Sequence, residues 1–251
     1  MWADRTVTVI LPTFNEKDSI RQAIEDLEAT GVVDEILVVN NNAVQGTSEQ
    51  VAPTNAREIH EPAQGYGFAL RRGMSEATGD LIAFSEPDGT FVGRDLLKLL
   101  AYLDDGYDVV FGTRTTKGFI WDGANMGLAM KYGNFLVSKV IELGFTSDCQ
   151  FTDVGCTMRL MRRPVLEYLL PQFEVGGSHF GLEFMVRVLT SRFQYIEVPV
   201  NYLPRVGRSM VTGSWVKTFA LALRMTAYAA RHRLRTLVPG WEMRSVPPDS
   251  R

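Results

Sequence analysis

Leu81-Ile-Ala-Phe-Ser-Glu86-Pro87-Asp88-Gly89 is a short apolar run that ends in two carboxylates separated by one residue. Alternate residues of an extended segment point the same way, so Glu86 and Asp88 can face one point beyond the strand's C-terminal end. Open α/β sheets bind their ligands at that edge. Such carboxylates, with Pro87 between them, are hard oxygen ligands that suit Mg²⁺ or Mn²⁺ carrying a substrate's phosphates. Pro-Asp-Gly is also ordinary turn chemistry, and for these residues taken alone a solvated acidic turn is the better account.

The first half of the chain repeats this pattern. Residues 7–11, 35–39, 58–60, 81–84 and 109–111 read as strands, mostly continuous and apolar as in a sheet covered on both faces. Helical patterns at 18–27, 47–52, 68–77 and 96–103 lie between them. Alternation of strand and helix predicts an α/β fold with a mainly parallel sheet. Each strand ends in a polar or Gly-containing loop: Pro12-Thr13-Phe14-Asn15-Glu16, Asn40-Asn41-Asn42, Gln64-Gly65-Tyr66-Gly67, Glu86-Pro87-Asp88 and Gly112-Thr113-Arg114. These loops gather on one edge and are the candidate site. Gly65 and Gly67 allow close backbone approach there, or a tight turn before the helix.

The loops also carry a family resemblance. Leu11-Pro-Thr-Phe-Asn15-Glu16 resembles the opening motif of family 2 glycosyltransferases, Val38 to Asn42 with Gly46-Thr47 stands where they carry an Asp-rich nucleoside loop, and Glu86-Pro-Asp88 matches their Asp-x-Asp element. The match continues through Gly112-Thr-Arg114, Asp153-Val-Gly-Cys-Thr-Met-Arg159, Val198-Pro-Val200 and Arg205-Val-Gly-Arg208-Ser209. The later motifs are similar to the polyprenyl-phosphate branch, to which the dolichol-phosphate mannosyltransferases belong. The resemblance implies a GT-A domain over residues 1–213 that binds a nucleotide-diphospho-sugar through Pro12, Thr13, Asn15, Glu16, Asn40, Asn41, Gly65, Gly67, Pro87 and a metal on Glu86 and Asp88. It also implies that Asp153 faces the donor sugar.

The chain departs from the family pattern in three places: asparagines replace the nucleoside-loop aspartates, Glu86 replaces the first aspartate of the pair, and Met210 stands where a lysine is common. Glu86 remains an oxygen ligand. An amide both donates and accepts, which suits the N3–H of uracil flanked by carbonyls, so Asn41 favours a UDP-sugar over a GDP-sugar. A run of Asn also simply makes a good turn.

At 251 residues and 45% hydrophobic, the chain can bury one large α/β core. Cys149 and Cys156 show no zinc or disulfide spacing and read as reduced core residues. No apolar leader pattern precedes Val7, so a cytoplasmic location is expected. From Arg205 onward there are nine Lys/Arg and two Asp/Glu, so a basic end follows an acidic body. Residues 214–238 form a helical pattern in which Lys217, Arg224 and Arg231 recur every seven residues, followed by a loose tail, 239–251. Its apolar run is shorter than the ~20 residues that a membrane span needs. It therefore suits either a peripheral position on the membrane surface or packing on the domain with a solvated basic face. No nucleic-acid partner is expected.

A polyprenyl phosphate acceptor carries ionised oxygens, its second pKa being about 6 by analogy with other phosphate monoesters, and needs little general-base help. Catalysis would then be positioning and charge neutralisation, with Arg205, Arg208 and Arg114 gripping phosphate. A hydroxyl acceptor would instead need a base, for which Asp153 and Glu183 are the candidates. Their other readings are a turn or cap aspartate and a buried helix partner of Arg187 at i+4. A non-catalytic sugar-nucleotide-binding or membrane-docking module is the alternative of a different class.

Overall fold

A computed structural model of the chain describes residues 1–124, 135, 137–139, 141, 142, 144, 145, 151–191, 193–207 and 215–236, with side chains at 221 and 223–234 in the last stretch. In chain order the elements are β1 (Val7–Thr13), α1 (Ile20–Glu28), β2 (Glu35–Asn40), α2 (Thr47–Val51), β3 (Arg57–His60), α3 (Tyr66–Glu76), β4 (Leu81–Phe84), α4 (Asp95–Asp104), β5 (Val109–Thr113), β6 (Arg159–Arg162), α5 (Arg163–Leu169), α6 (Phe180–Leu189), β7 (Tyr195–Pro199) and α7 (Trp215–Thr236). The seven strands form one sheet in the order β3-β2-β1-β4-β6-β5-β7. All neighbours run parallel except β6, which is antiparallel to both β4 and β5.

The period-two alternation of the strands divides the core into two layers. Ile10, Leu37, Val39, Ile82, Phe84 and Phe111 point to one face and pack under α3, α5, α6 and α7. Val9, Leu11, Val38, Ala83, Val110 and Leu160 point to the other and pack under α1, α2 and α4. Helix periodicity supplies the matching faces: Ile20, Ile24 and Leu27 on α1, and Leu96, Leu99, Leu100 and Leu103 on α4, are all buried. Fully burying each such side chain contributes roughly 1.5–3 kcal/mol. The aromatic centre is Phe111, whose ring meets Phe151 and Phe184 edge-on at 5.4 and 5.8 Å.

The five expected strands are present, each within two residues of its expected ends, and they run parallel to their neighbours where they pair with one another. The antiparallel strand was not foreseen. Its Arg159-Leu-Met-Arg162 has arginines at both ends, and the buried Arg159 disguises a core strand as a polar segment. The stretch from Met126 to Leu143 also reads in sequence as an amphipathic helix, and it falls largely outside the described residues.

One contact fixes how α3 enters the sheet. A Cβ built on Gly67 would lie 2.3 Å from the Val175 carbonyl oxygen, and one on Gly65 would lie 2.3 Å from that of Gly176. Phe68 N–H donates to the Gly176 carbonyl at 3.1 Å. These two glycines therefore admit a neighbouring protein segment. Gly67→Ala should lower stability by about 1–3 kcal/mol through overpacking; chemical denaturation of the variant at parental stability would show that the 175–176 segment yields at no cost.

Candidate active site

The C-terminal ends of β1, β2, β4 and β5 bring the expected loops to one edge of the sheet. At β1, Pro12 and Thr13 are buried, and Glu16 folds back to accept from the N–H groups of Phe14 and Asn15 at 2.7 and 2.8 Å, with Asn15 itself exposed. At β2, Asn40 donates to Ser48 and Glu58 and accepts from Ala43 N–H. Asn41 is buried, and its amide is fully engaged: it donates to the carbonyls of Glu61 and Ala63, each at 2.8 Å, and accepts from Gln64 and from Gly65 N–H. In this geometry it has no free group with which to read a base. Its part in the structure is to pin the loop between β3 and α3, while Asn42 takes the left-handed turn at φ 59°.

Beyond β4 the two carboxylates lie beside each other, with Pro87 buried between them. Asp88 is 1% exposed, and its Oδ1 accepts from Thr90 N–H and hydroxyl at 2.9 and 2.5 Å. Its Oδ2 receives no hydrogen bond and faces the Arg205 guanidinium as an ion pair. The same guanidinium nitrogen lies 2.9 Å from Glu86 Oε2. Burial and the adjacent Asp88 push the Glu86 carboxyl up to about 8, against the pull of Arg205. Tyr66 is half-buried near both carboxylates, and its hydroxyl is raised well above the usual phenolic range, first by desolvation and then by Glu86.

Arg114 and Asp153 form a second charged unit next to the first. The guanidinium grips the carboxylate with two nitrogens, Nε at 2.8 Å and Nη2 at 2.9 Å, and Arg114 N–H adds a third bond at 3.0 Å. Burial would raise the Asp153 carboxyl, but Arg114 and the N–H groups of Arg114 and Gly155 outweigh it and hold it below the usual range. Arg114 also stacks over Tyr202, 5.1 Å from the ring centre. Glu197 of β7 anchors the arrangement by accepting from the N–H groups of Thr152 and Asp153 and the Thr152 hydroxyl. Asp153 thus positions Arg114.

Glu183 belongs to a separate buried network. Its Oε1 accepts from Glu174 N–H, from Nε and Nη2 of Arg187 and from the Tyr228 hydroxyl, and its Oε2 accepts from Val175 N–H. This is the helix-partner role, tying α6 to α7 and to the segment beneath Gly65 and Gly67. Arg208 lies outside the described residues. Sequence reasoning missed Tyr202 and Glu197, which stand in no motif and are brought to the charged loops only by the fold, and it gave no role to Tyr66, although it lies between Gly65 and Gly67 in a loop of the candidate site. Among the described residues no three His, Cys, Asp or Glu cluster as metal ligands. The pair of Glu86 and Asp88 nevertheless fits a cation that takes its other ligands from phosphate and water, because Asp88 Oδ2 is a buried oxygen with no hydrogen bond. Cys156 is buried and its thiol is pushed up to about 12, chiefly by burial, so it is inert at neutral pH.

Residues 8–170 match the family model described as glycosyl transferase family 2. The chain belongs to this family. Among relatives of this glycosyltransferase, an uncharacterized glycosyltransferase of Mycobacterium tuberculosis is 33% identical over 84% of this chain and 92% of its own length. A dolichyl-phosphate hexose transferase of Haloferax volcanii is 26% identical over 81% and 85%. The solved structure of glucosyl-3-phosphoglycerate synthase from Mycobacterium tuberculosis with Mn²⁺, UDP and phosphoglyceric acid superposes with a TM-score of 0.68 at 18% identity, covering 92% of this chain and 79% of that one. This last likeness is one of fold, and the fold is GT-A.

Asp153 offers a direct test of the second charged unit. A carboxyl held below its ordinary value of 3.8 contributes stability that is complete above that value and is lost as the pH falls through its folded-state pKa. Asp153→Asn should cost about 3–5 kcal/mol near neutral pH by leaving Arg114 buried and unpaired. It should also lose stability less steeply than the parent on acidification below about pH 4. Denaturation curves with equal slopes in that range would contradict the pairing.

Proposed function

We propose that this glycosyltransferase moves a sugar, with inversion, from a nucleotide diphosphate to a polyprenyl phosphate at the cytoplasmic face of the membrane. What carries the reading is how the charges are partnered: Glu86 and Asp88 face an arginine at the ligand-binding edge, while Asp153 and Glu183, the candidate bases, are each engaged by an arginine of their own. An acceptor that arrives already ionised needs no base. In this mechanism the glycosidic bond to the donor's β-phosphate breaks as an acceptor phosphate oxygen attacks the anomeric carbon from the opposite face. Glu86 and Asp88 would hold a Mg²⁺ or Mn²⁺ ion, which supplies positive charge to the leaving diphosphate. Arg205 grips acceptor phosphate with its planar fork, and Arg114, oriented by Asp153, adds a second cation beside the reacting groups.

A UDP-sugar is the first donor to test, since the superposed synthase structure holds UDP with Mn²⁺; the bonded state of Asn41 removes the earlier argument from its amide. The name of the Haloferax relative supports a lipid phosphate acceptor. Among the described residues no helix is long and apolar enough to cross a membrane. On α7, Leu223 and Leu234 are 64% and 66% exposed beside the exposed Arg224 and Arg231, which suits a helix lying on an anionic surface. Residues 1–213 would then be the transferase domain, 214–238 the docking helix and 239–251 a tail.

Two measurements test the reading. Asp88→Asn keeps an acceptor for Thr90 and should stay folded, while Mn²⁺-supported UDP affinity falls about tenfold or more, as expected on losing an interaction of roughly 1.5–3 kcal/mol with a charged group. Parental metal-supported affinity would sink the site. Radiolabelled transfer to a short polyprenyl phosphate should be seen with the right donor; transfer only to saccharide hydroxyls would overturn the acceptor.

A further inference from the structure

We infer that Arg205 is the resident cation of the carboxylate pair and exchanges with the divalent metal, so that donor binding releases Arg205 to hold phosphate. The inference rests on Glu86 and Asp88 being the metal site proposed above. One guanidinium nitrogen of Arg205 contacts both Glu86 Oε2 and Asp88 Oδ2. Asp88 is 1% exposed, and its other oxygen is taken by Thr90. Oδ2 is therefore the oxygen left for a metal, and it is the one that Arg205 covers. A guanidinium and a divalent ion repel each other at such separations, so the two cations compete for one pair of ligands.

The backbone around Arg205 makes the exchange local. Val206 N–H donates to the Asp88 carbonyl at 2.9 Å, and Leu203 N–H donates to that of Thr90 at 2.9 Å. These bonds tether the segment on both sides of Arg205 to the loop that carries the carboxylates. A displaced guanidinium therefore stays within a side chain's reach of the metal and of any diphosphate bound to it. Charge favours the release: a metal that neutralises the two carboxylates removes what held Arg205 and leaves its guanidinium free to meet the acceptor phosphate. The phosphate-gripping role of Arg205 is then available only after the donor and its metal have bound, which imposes an order of donor before acceptor.

The test is Mn²⁺ affinity without nucleotide, read from the free-ion electron spin resonance signal, for the full-length parent, Arg205→Gln and Arg205→Lys. Removal of a directly competing cation should tighten Mn²⁺ binding by about tenfold, within the usual range of coupling between ligands. Arg205→Lys, still charged, should lie nearer the parent. In the parent, Mn²⁺ alone should speed tryptic cleavage after Arg205. Equal or weaker Mn²⁺ binding by Arg205→Gln, in a parent that binds Mn²⁺ with UDP, or cleavage insensitive to Mn²⁺, would overturn the exchange alone. Absence of Mn²⁺ binding in every protein, with or without UDP, would overturn both the exchange and the metal site.

Discussion

The burial of Asp88 is the constraint on which the site depends. A carboxylate that is almost wholly removed from water must be compensated by partners, and each partner brings in a different part of the chain. Thr90 shapes the turn after β4, Val206 N–H bonds to the Asp88 carbonyl, and Arg205 supplies the opposite charge. Residues more than a hundred positions apart are thereby joined at the edge of the sheet. The second unit, Arg114 with Asp153, adds a cation whose direction is set from β7 through Glu197. Two layers of apolar residues on either face of the sheet hold these loops in register.

Much of this was legible in the amino-acid sequence. The continuous apolar runs at 35–39 and 81–84 mark strands covered on both faces, and the leucines at 96, 99, 100 and 103 mark a helix, the one that covers β5 and β6 on one face of the sheet. The carboxylate pair could be read because its spacing matches the geometry of a strand end. Other features depend on contacts made only in the folded chain. β6 carries a buried arginine that is satisfied by the carbonyls of Cys156, Gly181 and Val154, bonds that no local pattern announces. Asn41 has the chemistry to read a base, yet the loop at 61–65 takes all of its hydrogen bonds. Gly65 and Gly67 look like room for a ligand and are instead filled by the backbone of 175 and 176. Asp153 and Glu183 are alike in sequence as acidic residues in plausible positions. The fold separates them, setting one beside the site with Arg114 and the other in the helix layer with Arg187 and Tyr228.

The same accounting joins the fold to the chemistry. Asp153 is buried, and Arg114 with two backbone N–H groups occupies both of its oxygens, while Glu183 lies in the helix layer with Arg187, so the site's resources are cations and oxygen ligands. That inventory suits the proposed transfer of a sugar between two phosphates, where charge must be met at the departing diphosphate and at the incoming group.

The most direct test is anomalous diffraction from crystals of the protein grown with Mn²⁺ and UDP. The account predicts a manganese peak within coordination distance of Glu86 and Asp88, with the Arg205 guanidinium turned away from the carboxylates. Manganese bound elsewhere, or UDP bound with Arg205 still bridging Glu86 and Asp88, would contradict it.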